Sequence, residues 1–146
     1  MDFVDTDIVL QQQQRKKLQE IIDQVGNDAF LKMEEDCVRG LECDQTVVAT
    51  GGSVIYGKEA MRRLHENGLV VYIRLPYEEI ERRLSNLATR GVTLKKGQTL
   101  RNLYDERIPL YEAEADYIFE PEEGDVQETV LDLAQRLSVR MEADNG

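Results

Sequence analysis

Residues 46–53 read Thr-Val-Val-Ala-Thr-Gly-Gly-Ser, a pattern that indicates the fold class most clearly. The run Thr46 to Thr50 is rich in β-branched residues, which is typical of a strand buried on both faces, and Gly51-Gly52 marks the loop that follows it. A second apolar run, Leu69 to Leu75, ends at Pro76. Continuous apolar strands of this kind predict a parallel sheet that is covered on both sides.

Helical segments separate these runs along the chain. Two shorter strands are predicted at Phe3 to Asp7 and at Asp116 to Glu120. Apolar residues at helical spacing predict six helices: Ile8 to Val25, Asn27 or Asp28 to Leu41, Lys58 to Asn67, Pro76 to Leu87, Leu100 to Glu106 and Val126 to Met141. Strands that alternate with helices predict an α/β domain in which helices flank a parallel sheet.

Composition limits the partners that the chain can have. Its 146 residues, 41% of them hydrophobic, suffice for one compact core, and no linker divides residues 1–146 into two domains. The net charge of −11 repels a polyphosphate backbone, so nucleic acid is not an expected partner. No signal peptide or membrane-length apolar run is visible, and the spacing of Cys37, Cys43 and His65 is not that of a zinc site. We expect a soluble, cytoplasmic protein with reduced thiols.

Two carboxylates follow the first predicted strand. Asp5 and Asp7 lie at its carboxyl end, the edge where open α/β sheets bind ligands, and strand alternation predicts that both side chains face the same way. One carboxylate could hold Mg²⁺ through water while the other accepts a proton from a substrate hydroxyl. The alternative, favoured on spacing alone, is a solvated turn in which the aspartates cap a helix.

Three further features are candidates for ligand binding. Gly51-Gly52 lets backbone amides approach a ligand closely, although a tight turn explains it equally well. Arg107 could form a bidentate pair with a carboxylate or phosphate, or simply bond to neighbouring acidic residues. Residues 88–100 contain Arg90, Lys95 and Lys96 together with two glycines, a composition that suits either a lid over phosphates or a solvated loop.

Taken together in this order, these stretches resemble the shikimate kinase family. The matching segments cover nearly the whole chain: FVDTD (3–7), GNDAFLKMEED (26–36), VVATGGS (47–53), VVYIRLPYEEIERRL (70–84) and RIPLYEAEAD (107–116). The resemblance implies a P-loop nucleoside-monophosphate-kinase-like fold. It also implies a transfer of the γ-phosphate of ATP, with Mg²⁺, to a hydroxyl of shikimate or a related small acid beneath a mobile lid.

The resemblance also implies roles for individual residues. Asp5 matches the aspartate associated with Mg²⁺, and Asp7 matches the one that orients or deprotonates the substrate hydroxyl. Gly51 and Gly52 match glycines that cradle the substrate, with Ser53 in place of a third glycine. Arg107 matches an arginine that binds the substrate carboxylate. Arg90 corresponds loosely to the lid arginine, because the Arg-Pro-Leu-Leu pattern of the lid is absent.

The sequence departs from the family pattern at its beginning. The family places a strand, G-x-x-G-x-G-K-[ST] and a helix before the DTD segment, roughly 25 residues in all, and that motif does not occur in this sequence. The amides and lysine of such a loop supply much of the charge stabilisation in phosphoryl transfer. We therefore expect this chain alone to bind ATP poorly. A misassigned start, with Met1 an internal methionine, is favoured over a natural protein without the loop.

A second departure concerns the substrate. The family pattern has an arginine for the shikimate carboxylate after the phenylalanine that matches Phe30, and this chain has Leu31. Loss of a charge-assisted bond costs on the order of 1.5–3 kcal/mol, so another small alcohol with a carboxylate or amine is a candidate acceptor. The alternatives to an N-terminally incomplete kinase are a non-catalytic kinase-like domain that binds a small acid or protein, and a sheet completed by a strand-donating partner or by self-association.

Overall fold

The structure, a computed structural model, describes residues 2–85, 97–121 and 133–138. Within the first two ranges strands and helices alternate, and residues 133–138 are helical. The elements, in chain order, are β1 (Asp2–Asp5), α1 (Thr6–Gln14), α2 (Leu18–Val25), α3 (Asn27–Arg39), β2 (Thr46–Ala49), a 3₁₀ helix (Gly52–Tyr56), α4 (Lys58–Asn67), β3 (Val71–Ile73), α5 (Tyr77–Ser85), α6 (Leu100–Glu114) and β4 (Tyr117–Phe119). The predicted α/β class is confirmed.

The four strands are parallel but form two separate pairs. β1 lies beside β2, with Phe3 opposite Val47, and β3 lies beside β4, with Tyr72 opposite Ile118. Among the described residues no ladder joins β2 to β3, so the four parallel strands lie in two two-stranded sheets. Each pair therefore has a strand edge that another strand could extend.

The helix predicted from Ile8 to Val25 is broken into α1 and α2. Arg15 ends α1 in the left-handed region, at φ 55°, and its N–H donates to Gln11 O. The side-chain oxygen of Gln11 accepts a hydrogen bond of 3.1 Å from Leu18 N–H, which satisfies a donor in the first turn of α2. Gln11 thus stabilises a helix boundary that apolar spacing alone does not show.

Helix α6 continues through Pro109, whereas the sequence predicted an end at Glu106. Proline lacks the N–H for one intrahelical bond, yet the remaining contacts of the helix offset this loss. Thr99 and Asn102 form a capping box at its start, and Tyr104 Oη donates to Leu75 O at 2.9 Å. The continuation matters for the site, because it places Tyr111 one turn beyond Arg107 on the same helical face.

The buried apolar side chains form two clusters on either side of α3. One cluster joins α1, α2 and α3 and the other joins α3, the 3₁₀ helix and α4. Their members are Leu10, Ile21, Ile22, Phe30 and Cys37 in the first, and Val38, Val54, Ala60 and Met61 in the second. No helix in the described ranges is long and apolar enough to cross a membrane.

Candidate functional site

The two aspartates at the end of β1 occupy different elements. The strand ends at Asp5 and α1 begins at Thr6, so the prediction that strand alternation points Asp5 and Asp7 the same way is wrong. Asp5 caps α1: its Oδ1 accepts from the N–H of Asp7 at 2.9 Å and of Ile8 at 3.4 Å. Both carboxylates nevertheless border the same cleft, because Asp7 lies in the first turn of α1.

Gly51 marks the acidic side of this cleft. A Cβ on Gly51 would lie 3.0 Å from Glu34 Oε2 and 3.1 Å from Asp7 Oδ1. The two carboxyl oxygens are therefore no more than about 6 Å apart, and they converge on the same point of the loop after β2. We call Asp7 and Glu34 the acidic wall of the cleft. A side chain at Gly51 would press against both carboxyl groups.

Gly52 faces the opposite side of the cleft. A Cβ on Gly52 would lie 2.6 Å from Tyr111 Oη and 2.9 Å from Arg107 Nη1, so only glycine fits without a shift of these groups. Tyr111 Oη donates to Gly52 O at 2.9 Å. The Arg107 guanidinium also lies 5.4 Å from the ring centre of Tyr56, within cation–π range. We call Arg107 and Tyr111, which both line the cleft, the basic wall.

Glu34 belongs to the site although the sequence interpretation gave it no role. It lies on α3 between Phe30 and Val38 and is only 1% exposed. Ser53 Oγ donates to its Oε1 at 2.7 Å, whereas no described residue donates a hydrogen bond to its Oε2. A buried carboxyl oxygen without a donor is costly, which makes this atom a candidate ligand contact.

Burial raises the pKa of Glu34 from 4.5 to about 7. The Ser53 hydroxyl and Arg107 act in the opposite direction, while the nearby Asp7 carboxylate adds to the increase. Burial likewise raises the pKa of Tyr111, and Arg107 opposes this shift. Near neutral pH the acidic wall therefore holds a carboxyl group that can either accept or donate a proton.

The walls belong to one cleft of about 1280 Å³, which continues between β2 and β3. The structure brings together five of the six residues that the sequence singled out: Asp5, Asp7, Gly51, Gly52 and Arg107. Arg90 and most of the predicted lid, 88–100, lie outside the described residues. Of the described part of that segment, Thr99 caps α6 and Leu100 begins it.

The site offers few ligands for a metal ion. Among the described residues no group of three or more His, Cys, Asp or Glu side chains could hold one. Mg²⁺ is commonly bound by one or two carboxylates together with waters and substrate phosphates, so such a group is not required. Asp5, which borders the cleft beside Asp7, fits this kind of site.

Sequence patterns do contain a signal for the residues that were missed. Glu34 follows Phe30 by four residues and precedes Val38 by four, so it is a charged residue on the buried face of an amphipathic helix. A charged residue on a buried face normally has a hydrogen-bonding or charged partner, or a role in the function of the protein. Tyr111 follows Arg107 by four residues, but this spacing is informative only if the helix continues through Pro109.

Parallel strands flanked by helices, with carboxylates and a double glycine where strands end, define an α/β domain with a ligand-binding cleft at the carboxyl ends of its strands. The family model for shikimate kinase matches residues 1–138. The chain belongs to the shikimate kinase family.

Individual relatives agree with this assignment. The shikimate kinase of Dictyoglomus turgidum is 31% identical over 92% of this chain and 81% of the relative. That of Paracidovorax citrulli is 33% identical over 97% of this chain and 79% of the relative. The chain thus spans about four-fifths of the length of these relatives.

Solved structures show the same fold. The shikimate kinase of Acinetobacter baumannii in complex with shikimate is 26% identical, with a TM-score of 0.81 over 98% of this chain and 79% of that one. The shikimate kinase of Aquifex aeolicus is 26% identical, with a TM-score of 0.76 over 100% of this chain and 85% of that one. The fold expected from the sequence resemblance is confirmed.

Proposed function

We propose that this chain forms the acceptor-binding part of a kinase that transfers the γ-phosphate of ATP to a hydroxyl of shikimate or a related small acid. The observation that carries this proposal is the convergence of Asp7, Glu34, Gly51, Gly52 and Arg107 on one cleft. An alcohol that also bears a carboxylate complements a site with an acidic wall and a basic wall. The A. baumannii relative is described in complex with shikimate, which supports an acceptor of this kind.

Asp7 is the residue that handles the reacting hydroxyl. Its Oδ1 is buried and lies close to Gly51, so a hydroxyl placed over the glycine loop comes within reach of it. A carboxylate there orients the hydroxyl for attack and accepts its proton as the new O–P bond forms and the bond from the γ-phosphorus to the departing ADP breaks. Arg107 holds the acid group of the same molecule at the other side of the loop, because guanidinium matches a carboxylate in two parallel hydrogen bonds.

Membership of the family implies Mg²⁺ and ATP. Asp5 would hold Mg²⁺, which when bound neutralises charge on the transferred phosphate. The G-x-x-G-x-G-K-[ST] motif does not occur in the 146 residues, so we assign no nucleotide contact to the described residues. Arg90 in the lid stays a prediction, as does a cytoplasmic location.

The gap between the two strand pairs supports a specific place for the phosphate-binding element. β2 and β3 both line the cleft, and Val47 and Ile73 remain 49% and 53% exposed although parallel strands are normally buried on both faces. A single apolar strand that paired with both would join the two sheets into one. We propose that this strand leads into the phosphate-binding loop and lies outside the 146 residues.

The lack of pairing between β2 and β3 is also consistent with one alternative function. A protein without the phosphate-binding strand would bind a small acid or a partner protein without transferring phosphate. The two functions differ in turnover but share the acceptor site.

The test compares two forms of the protein. The first is the 146-residue chain, and the second carries in addition the in-frame upstream coding sequence, read for G-x-x-G-x-G-K-[ST]. We expect shikimate-dependent ATP consumption from the longer form only, and shikimate binding by both. Turnover by the 146 residues alone would contradict the proposed role of the missing strand. An upstream sequence without the motif, together with binding but no turnover, would favour the non-catalytic function.

A further inference from the structure

The basic wall depends on a long side chain that must be held in place. The position after Phe30 carries Leu31 rather than arginine, so no arginine at that position shares the acid group of the acceptor with Arg107. An arginine side chain loses much rotamer freedom when it binds a ligand. A site that orders the guanidinium before the acceptor arrives avoids this loss and binds more tightly.

Tyr56 contacts the guanidinium of Arg107 without bordering the cleft itself. Its ring centre lies 5.4 Å from Arg107 Cζ, within cation–π range. The Tyr56 hydroxyl also accepts a hydrogen bond from Arg107, whose guanidinium has only donors. Tyr56 is not among the described residues that line the cleft, whereas Arg107 is. An effect of Tyr56 on the acceptor would therefore act through Arg107.

The hydroxyl of Tyr56 is anchored in turn by α6. It donates to Glu106 Oε2 at 2.9 Å, and the same oxygen accepts from Gln98 Nε2 at 3.2 Å. Burial raises the pKa of Tyr56, although Arg107 opposes this shift. At neutral pH the hydroxyl therefore keeps the proton that it donates to Glu106. This bond fixes the ring against the helix that carries Arg107.

Tyr56 also connects Arg107 to the glycine loop. It is the last residue of the 3₁₀ helix Gly52–Tyr56, and the first residue, Gly52, accepts from Tyr111 Oη. The Tyr111 hydroxyl hydrogen-bonds with Arg107 as well. The guanidinium is thus tied to both ends of the 3₁₀ helix. These contacts set its distance from the loop over which the acceptor is proposed to lie.

We propose that Tyr56 is a positioning residue that holds Arg107 in the orientation that binds the acid group of the acceptor. This inference rests on the proposed function. The hydroxyl groups of the acceptor face the acidic wall, so loss of Tyr56 should weaken recognition of the carboxylate and leave the hydroxyl contacts intact. A residue that only stabilised the fold would affect charged and neutral acceptors alike.

The test compares shikimate with its methyl ester, which keeps every hydroxyl but lacks the negative charge, by calorimetry on the 146-residue chain. We expect Tyr56→Leu to weaken shikimate by roughly 5- to 20-fold and the ester by less than about twofold. Tyr56→Phe keeps the ring and should weaken shikimate only about two- to threefold. Tyr77→Leu, the matched control, removes a ring that lies 4.8 Å from Arg101 of α6 and should bind both compounds like the unaltered chain.

A second measurement needs no acceptor, and it uses the conservative variant in case Tyr56→Leu fails to fold. The ¹⁵N relaxation of arginine side chains reports how rigidly each Nε–H is held. In the free chain Arg107 should be more ordered than the exposed Arg15, and Tyr56→Phe should lower the order of Arg107 alone. Equal order at Arg107 and Arg15 in the unaltered chain would overturn the positioning role.

The outcomes separate this inference from the proposed function. Equal weakening of shikimate and its ester by Tyr56→Leu, or no weakening of either, would overturn the role of Tyr56 alone. Failure of the unaltered chain to bind shikimate, with Arg107 nonetheless well ordered, would overturn the proposed function instead.

Discussion

The two walls of the cleft hold their charges by different means. On the acidic wall Glu34 is almost wholly buried, and desolvation dominates its chemistry. On the basic wall Arg107 is half-buried and its position depends on a helix that also supplies Tyr111. The acidic wall is therefore sensitive to charge and pH, whereas the basic wall is sensitive to geometry. A substitution that keeps the charge but changes the shape of a side chain, or the reverse, therefore distinguishes the two walls.

The largest effect is expected at Asp7. In a form of the protein that consumes ATP, Asp7→Asn should lower kcat by about 10²- to 10⁴-fold, because the amide cannot accept the hydroxyl proton. The affinity for shikimate should change far less. Asp28→Asn, in the first turn of α3, is the matched control and should leave kcat unchanged. Equal losses in kcat and affinity would mean that Asp7 only binds the substrate.

Glu34 should make stability depend on pH. Its pKa is raised from 4.5 to about 7 in the folded chain, so between these values the folded state binds a proton that the unfolded state has released. Stability contributed by the neutral group is therefore present below pH 4.5 and lost as pH rises through about 7, by at most about 3 kcal/mol. The groups that face it are Ser53, Asp7 and Arg107.

The measurement is the free energy of unfolding of the unaltered chain and of Glu34→Gln at pH 5 and pH 8. At each pH, the difference between the unfolding free energies of the two proteins excludes the contribution of the carboxylates that they share. The variant should gain stability relative to the unaltered chain as pH rises. A difference that is independent of pH would show that Glu34 is not protonated in this range.

The basic wall should respond to geometry at constant charge. Arg107→Lys keeps the positive charge but loses the planar fork that pairs with a carboxylate, so shikimate should bind about 10- to 30-fold more weakly. Arg101→Lys, on the same helix, is the control and should bind normally. Calorimetry measures the affinity of both variants for shikimate. Full affinity in the Arg107→Lys variant would show that the carboxylate of shikimate does not bind at the basic wall.

The smallest effect is expected from adding a second cation. Leu31→Arg places arginine where the family pattern has one, and should tighten binding of shikimate by up to about tenfold while leaving neutral polyols unchanged. Lys32→Arg, one position further along α3, should not reproduce the gain. If carboxylates and neutral polyols respond alike, position 31 does not contact the acid group.

Sequence patterns predicted the elements well where the signal is local. The helix Lys58–Asn67 has the expected bounds, and β2 and β4 lie within the predicted strands. Local patterns do not show the separation of β2 from β3, but the family resemblance predicts it: the strand that the family places before the DTD segment would lie centrally in the sheet, and without it the neighbouring strands stay unpaired. The helix through Pro109 was missed because the contacts that offset the lost hydrogen bond are made elsewhere in the fold.

The site was predictable in part. Asp7, Gly51, Gly52 and Arg107 were singled out because the order of motifs resembles a family, not because their spacing alone is informative. Glu34 was missed although its place among Phe30, Cys37 and Val38 marks it as a charge on an apolar face. Its environment depends on Ser53, nineteen residues away along the chain, and such a pairing appears only in three dimensions.

A crystal structure of the chain grown with shikimate would show whether the two walls of the cleft bind one acceptor molecule. We predict shikimate in the cleft, with its carboxylate at Arg107, one hydroxyl at Asp7 and the ring over Gly51 and Gly52. An empty cleft with Asp7 and Arg107 on separate surfaces would contradict the account.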